Sequence, residues 1–212
     1  GILGLTVRLG ITVAVLSLFL NLLIYHLAGL VGADLTAIAL DAPQSGLSMA
    51  ARFAVIVVLS AVVEEVFLRG ALFTVHEEMV GTSACLIVSG LVFAMLHGSL
   101  LNFAGPFLAG IAYAYLTFVS GSVWPAVLAH GVNNLYYLFV LWITDTYAAF
   151  GIWNYFAAIN ALALLLFLYL TLRALQDLLV RGCIPHFEKS AGLYDLWLLV
   201  RNPGMLAFAL AF

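Results

Sequence analysis

Two adjacent carboxylates inside an otherwise apolar stretch, Val62-Val63-Glu64-Glu65-Val66-Phe67-Leu68-Arg69, are the first residues in this sequence that could do chemistry. An ionisable group in such a stretch is costly unless it is paired or hydrated, so its presence points to a partner or a task. On a helix Glu65 and Arg69 stand four apart and share a face, which makes an ion pair geometrically natural, while Glu64 is rotated away by about 100°. Two acids in different surroundings divide into an ionised partner and a candidate acid or base. A second group, Phe93-Ala94-Met95-Leu96-His97, sets an aromatic ring and an imidazole four apart. A third, His130-Gly131-Val132-Asn133-Asn134, puts His130 and Asn134 on one face a turn apart, an inward-facing polar patch in an apolar run. Taken singly, each group also has a structural account: a helix-packing ion pair, an interfacial or hydrogen-bonded histidine, and an interhelical hydrogen bond. His76-Glu77 begins a His-Glu-x-x-His zinc pattern, but Val80 stands where the second histidine is needed. His76, Glu77 and Glu78 therefore read as a solvated helix end.

The elements that must position these residues follow from composition. Apolar residues make up 66% of the chain and charged residues only 8%. A soluble domain carries about 25% charged residues to solvate its surface, so most of this surface must be solvated by lipid. Crossing the hydrocarbon core takes about 20 apolar residues. Six runs meet that ruler, at 3–31, 49–75, 82–99, 103–120, 123–143 and 152–180. The expected fold is an all-α polytopic transmembrane helix bundle of about six spans, forming one membrane-embedded domain over 1–212 with its motif-bearing core at 49–143. Residues 32–48 and 182–192 read as polar loops. The stretch 193–212 is apolar but interrupted by Asp195, Arg201, Asn202, Pro203 and Gly204, which fits either an interfacial helix or a seventh span.

Charge and cysteine usage narrow the class further. The net charge is -3 and the seven Lys and Arg are scattered, which excludes an electrostatic footprint for nucleic acid. Arg173, Arg181, Lys189 and Arg201 crowd the C-terminal side; with six spans and Arg8 they place both termini in the cytoplasm, although Arg52 pulls the other way. Cys85 and Cys183 are too few and too differently placed for a disulfide framework. The chain opens at Gly1 without a Met, so a cleaved leader cannot be judged from it.

Glu-Glu-x-x-x-Arg, Phe-x-x-x-His and His-x-x-x-Asn, in that order and on separate spans, resemble the signature of the CPBP family of intramembrane glutamic endopeptidases, which takes in type II CAAX prenyl proteases and bacteriocin-processing, Abi-like proteins. The connecting segment is similar too, with Phe107-Leu108-Ala109-Gly110 and then Ser120-Gly121-Ser122-Val123-Trp124-Pro125-Ala126-Val127-Leu128-Ala129-His130. The resemblance covers about residues 60–135. It implies a site of Glu64, Glu65, Arg69, His97, His130 and Asn134, with no cofactor and no metal. It also implies a multi-pass protein of the cell membrane acting on a membrane protein or lipidated peptide. In the mechanism proposed for the family a glutamate with a histidine activates water, and the other histidine and the asparagine stabilise the oxyanion. The residue chemistry suits those roles: Glu64 with His97 as base, His130 and Asn134 as donors. Straight helices put His97 about 10 Å in depth from Glu64 and His130, a gap that tilt or a shifted end of the third span must close. Two other classes remain open on the residues alone. One is a metal-dependent hydrolase on a Glu64, His97 and His130 ligand set; the other is a transporter or binding scaffold whose acids relay protons.

Overall fold

The computed structural model describes residues 1–32, 48–72, 82–147 and 153–182, together with Trp197 and Arg201. Every regular element among them is helical, so the protein is an all-α bundle. Helix α1 is Ile2–Leu30. The second run begins where the Ser48 hydroxyl accepts the Ala51 amide at 3.2 Å, an N-cap that starts α2, Met49–Arg52. From there the backbone stays right-handed through a π-helical stretch π1, Phe53–Leu59, a regular turn and a half in α3, Ser60–Glu65, and a second π-helical stretch π2, Val66–Leu72. Residues 49–72 thus form one rod with two widened sections. The remaining helices are α4, Thr82–Met95, α5, Ala104–Ser120, α6, Trp124–Tyr147, and α7, Trp153–Val180.

Three helical segments among the described residues are long and apolar enough to cross a bilayer: Ile2–Leu30, Trp124–Ile143 and Ala158–Val180. Helices α4 and α5 are apolar but have only 14 and 17 residues. At about 1.5 Å per residue they extend roughly 21 and 26 Å, short of a hydrocarbon core of about 30 Å. The third run, expected to continue to residue 99, ends earlier for a local reason. His97 N–H bonds to the Ala94 carbonyl at 3.1 Å and Gly98 N–H to Met95 at 2.9 Å, with Gly98 in the left-handed region at φ +60°. A glycine there closes the helix at no steric cost, so Leu96 and His97 leave the helical path despite an apolar surrounding sequence. The expected loops around 32–48 and 182–192, the solvated end at His76, Glu77 and Glu78, and the alternatives for 193–212 lie outside the described residues, except at their edges and at Trp197 and Arg201.

Helix α1 is the hub and packs on α5, α6 and α7, while α4 packs on α5. The 49–72 rod lies against α6 and reaches α4 through π2. Small residues allow the closest crossings, as expected where lipid cannot drive helices together hydrophobically. A Cβ on Gly10 would stand 3.0 Å from the Ala129 carbonyl, and one on Gly110 would stand 2.8 Å from the Gly90 Cα. Polar pairs add interhelical bonds, Thr12 to Thr171 at 2.9 Å and the Tyr136 hydroxyl to Asn160, and Asn21 ties α1 to Asn102 in the turn before α5 at 2.6 Å. Leu5, Val13, Leu68, Val92, Phe93, Tyr113 and Leu116 belong to one buried cluster between the helices. Leu162, Leu165, Leu166 and Tyr169 point outward from α7 and are exposed, a face whose solvent is lipid in a membrane protein.

Candidate active site

The polar centre is built where the rod, α5 and α6 meet. Glu65 is fully buried and Arg69 is 1% exposed, a turn apart across the α3–π2 junction. Burying such a pair costs more than its attraction returns unless further bonds satisfy it. Those bonds are present. Glu65 Oε1 accepts from Arg69 Nη1 at 3.0 Å and from His130 Nδ1 at 2.9 Å, and Arg69 Nη2 donates to the Gly110 carbonyl at 2.9 Å. The guanidinium also lies over two rings, 4.8 Å from the centroid of Phe93 and 5.8 Å from that of Tyr113. The ion pair that the four-residue spacing implies is therefore formed, and α6 joins it through His130.

A carboxylate held by an arginine accepts only, so the His130 nitrogen facing it is a donor and Nε2 is turned away from Glu65. His97 is fixed in the same sense by a different partner, its Nδ1 donating to the Phe93 carbonyl at 2.8 Å. His97 is exposed just beyond the end of α4. Phe93 links the two histidines: its ring is edge-on to His97 at 4.9 Å and edge-on to His130 at 5.3 Å. His97 thus stands one aromatic ring away from the buried centre, and no hydrogen bond joins it to either glutamate among the described residues. Glu64 is half-buried and makes no hydrogen bond or ion pair among the described residues. It is the unpartnered acid that the 100° rotation from Glu65 requires.

Asn134 is committed elsewhere. Its amide nitrogen donates to the Ile56 carbonyl at 2.8 Å and to the Ser60 hydroxyl at 3.0 Å, and its oxygen accepts from Asn133 at 3.3 Å. An amide group has two N–H donors, and both are used. The donor expected to face a reacting carbonyl instead ties α6 to the rod, at the point where π1 gives way to α3. Ser60 bonds the same Ile56 carbonyl, so two side chains share that acceptor within the widened section.

Glu65, Arg69 and His130 are thus brought into direct contact, His97 is joined to them through Phe93, and Glu64 and Asn134 flank the group. Sequence reasoning missed Tyr113, which is fully buried and stacks on His130 at 5.2 Å and 16°. It quoted Gly110 without seeing that its carbonyl receives Arg69. The available signal was spacing: Gly110 and Tyr113 stand three apart on one face of α5, the helix between the second and third motifs. Glu65 Oε2, Arg69 Nε and the Tyr113 hydroxyl are buried without a hydrogen-bond partner among the described residues. No three His, Cys, Asp or Glu side chains among the described residues converge into a set able to hold a metal ion.

Residues 46–136 match the family model of type II CAAX prenyl endopeptidase Rce1-like proteins, a stretch that contains all three polar motifs. Over that stretch the chain is similar to this CAAX protease family. No curated protein and no solved structure matches the chain.

Proposed function

We propose that this protein is an intramembrane endopeptidase that hydrolyses a peptide bond of a membrane-associated protein or lipidated peptide, using water activated by glutamate and histidine. The observation that carries the reading is the meeting of the first and third motifs at one buried oxygen, Glu65 Oε1, which accepts from both Arg69 and His130. A scaffold needing only a packing ion pair would have no use for the imidazole there.

Glu64, free of other bonds among the described residues, and the Nε2 of His97 take the proton of a water as its oxygen attacks the substrate carbonyl. The carbonyl oxygen becomes negative, and His130 Nε2 donates to it; this requires the doubly protonated ring, for which Glu65 is the counter-charge. Collapse of the tetrahedral species breaks the C–N bond, and the proton held by Glu64 and His97 passes to the leaving amine. Arg69 holds Glu65 in place and anchors the rod to α5 through Gly110. Asn134 keeps α6 in register with the rod, so that His130 meets Glu65; acting as a donor to substrate would require its release from Ile56 and Ser60. The site works in the cell membrane, with both termini in the cytoplasm.

Comparative proteomics of membranes and released peptides tests this, comparing cells that carry the wild-type chain with cells that carry Glu64→Ala. Peptides with new termini present only with the wild type are expected. Identical peptide sets at equal protein levels would contradict the reading.

A further inference from the structure

Helix α5 contributes no charged side chain to the site, yet it supplies the surface against which the site is assembled. Gly110 and Tyr113 stand three residues apart on its inner face. The Gly110 carbonyl receives Arg69, and the Tyr113 ring lies nearly parallel to the His130 imidazole, 5.2 Å away at 16°. Phe93 approaches both rings edge-on, at 5.3 Å and 86° from His130 and at 5.9 Å and 78° from Tyr113. His130 is therefore held by a ring against its face, a ring against its edge and a carboxylate on Nδ1.

These contacts fix different things. The second side-chain torsion of histidine is soft, with a broad, roughly two-fold preference, so the backbone alone does not set the ring plane. The stacked tyrosine sets that plane. A half-turn flip would keep the plane but put a carbon against Glu65, and the carboxylate rejects it. Both constraints are needed before one nitrogen, Nε2, is aimed in one direction.

We propose that Tyr113 is a positioning residue of this site, whose ring sets the plane of the His130 imidazole so that the Glu65 hydrogen bond decides which nitrogen faces the substrate. The proposal rests on the peptidase reading for its kinetic consequence, though not for its geometry. It assigns the work to the ring and none to the hydroxyl, which is buried without a partner among the described residues. A hydroxyl of that kind stabilises nothing, so Tyr113→Phe keeps the working part and loses only a liability.

The test compares wild type, Tyr113→Phe, Tyr113→Leu and Tyr113→Met in detergent or liposomes. The measurements are kcat, KM, melting temperature and the nitrogen resonances of His130 in protein labelled with ¹⁵N-histidine. Tyr113→Phe is expected to keep kcat within about twofold and to melt at or above wild type. Folded Tyr113→Leu or Tyr113→Met is expected to lose kcat by about tenfold or more with KM little changed, since misaiming a reacting group acts on the transition state. Its His130 nitrogens should shift from the single, Glu65-bonded environment of the wild type towards a mixture of ring orientations. Wild-type kcat in the leucine and methionine variants would overturn the proposal. So would a loss in Tyr113→Phe as large as theirs, which would transfer the role to the hydroxyl. If the wild type cleaves nothing, the peptidase reading fails and the nitrogen resonances alone decide the positioning: unchanged His130 nitrogen resonances in the leucine and methionine variants would then overturn it.

Discussion

Removing Arg69 should unmake the site from its foundation. The side chain is 1% exposed and makes two charge-assisted bonds, to Glu65 at 3.0 Å and to the Gly110 carbonyl at 2.9 Å, besides lying over two aromatic rings. Arg69→Ala leaves Glu65 with His130 as its one remaining side-chain partner among the described residues, a loss of about 3–5 kcal/mol for a broken buried pair. The orphaned Gly110 carbonyl adds about 1–3 kcal/mol. Either figure is large against total stabilities of about 5–15 kcal/mol, so the variant should show a clearly lowered melting temperature in detergent and reduced accumulation in membranes. The double variant Glu65→Gln, Arg69→Met removes both charges while an oxygen still faces His130. Replacing both members of a buried pair is far milder than removing one, so the double variant should melt well above Arg69→Ala. Both should be inactive, the single variant because nothing anchors Glu65 to α5 and the double variant because Glu65→Gln supplies no counter-charge to His130. The assay is thermal unfolding of the purified proteins with turnover measured on the same samples. Wild-type melting of Arg69→Ala, or a double variant less stable than the single, would refute the claim that this pair is a mutually dependent buried unit.

The other expectations concern the flanking residues. Glu64→Gln should abolish turnover with almost unchanged melting, because Glu64 bonds to nothing among the described residues; His97→Ala and His130→Ala should also abolish turnover, with the protein still accumulating in the membrane, as immunoblot and activity together will tell. Asn134→Ala should lower the melting temperature, since two bonds of 2.8 and 3.0 Å to the rod are lost, whereas Ser60→Ala should do so by less and Asn133→Ala least. Gly110→Ala should destabilise by about 1–3 kcal/mol, because its new methyl stands 2.8 Å from the Gly90 Cα, 2.9 Å from the Phe93 Cβ and 3.2 Å from Arg69 Nη2. Incubation with a chelator shown by elemental analysis to strip divalent metals should leave turnover unchanged; its loss, restored by one metal, would favour the Glu64, His97 and His130 ligand set.

What the sequence revealed, and what it hid, divides along a physical line. Short-range helical spacing was readable, so Glu65 and Arg69 could be paired and Glu64 set apart from their four- and three-residue offsets. The all-α membrane architecture followed from hydropathy alone. Helix ends were less readable, because an apolar run continues through Leu96 and Leu100 while the backbone is turned by one glycine, Gly98. The two π-helical sections of the rod left no mark in its residue pattern. Tyr113 was hidden for a related reason, since an aromatic residue among Ile111, Ala112, Ala114 and Tyr115 reads as packing until the partner helix is known. Asn134 shows the converse limit: residue type and face were right for a donor, but the acceptors, Ile56 and Ser60, lie more than 70 residues earlier on another element.

Turnover by the purified protein in liposomes, followed by mass spectrometry with a prenylated peptide ending in a CAAX sequence and run in ¹⁸O-water, tests the peptidase reading most directly. Wild-type protein should release a cleaved peptide carrying one ¹⁸O in its new carboxyl group, and Glu64→Gln at equal folded concentration should release none. Equal labelled product from Glu64→Gln would contradict the assignment of the base, and uncleaved peptide with folded wild-type protein, across prenylated and unprenylated membrane peptides alike, would contradict the endopeptidase itself.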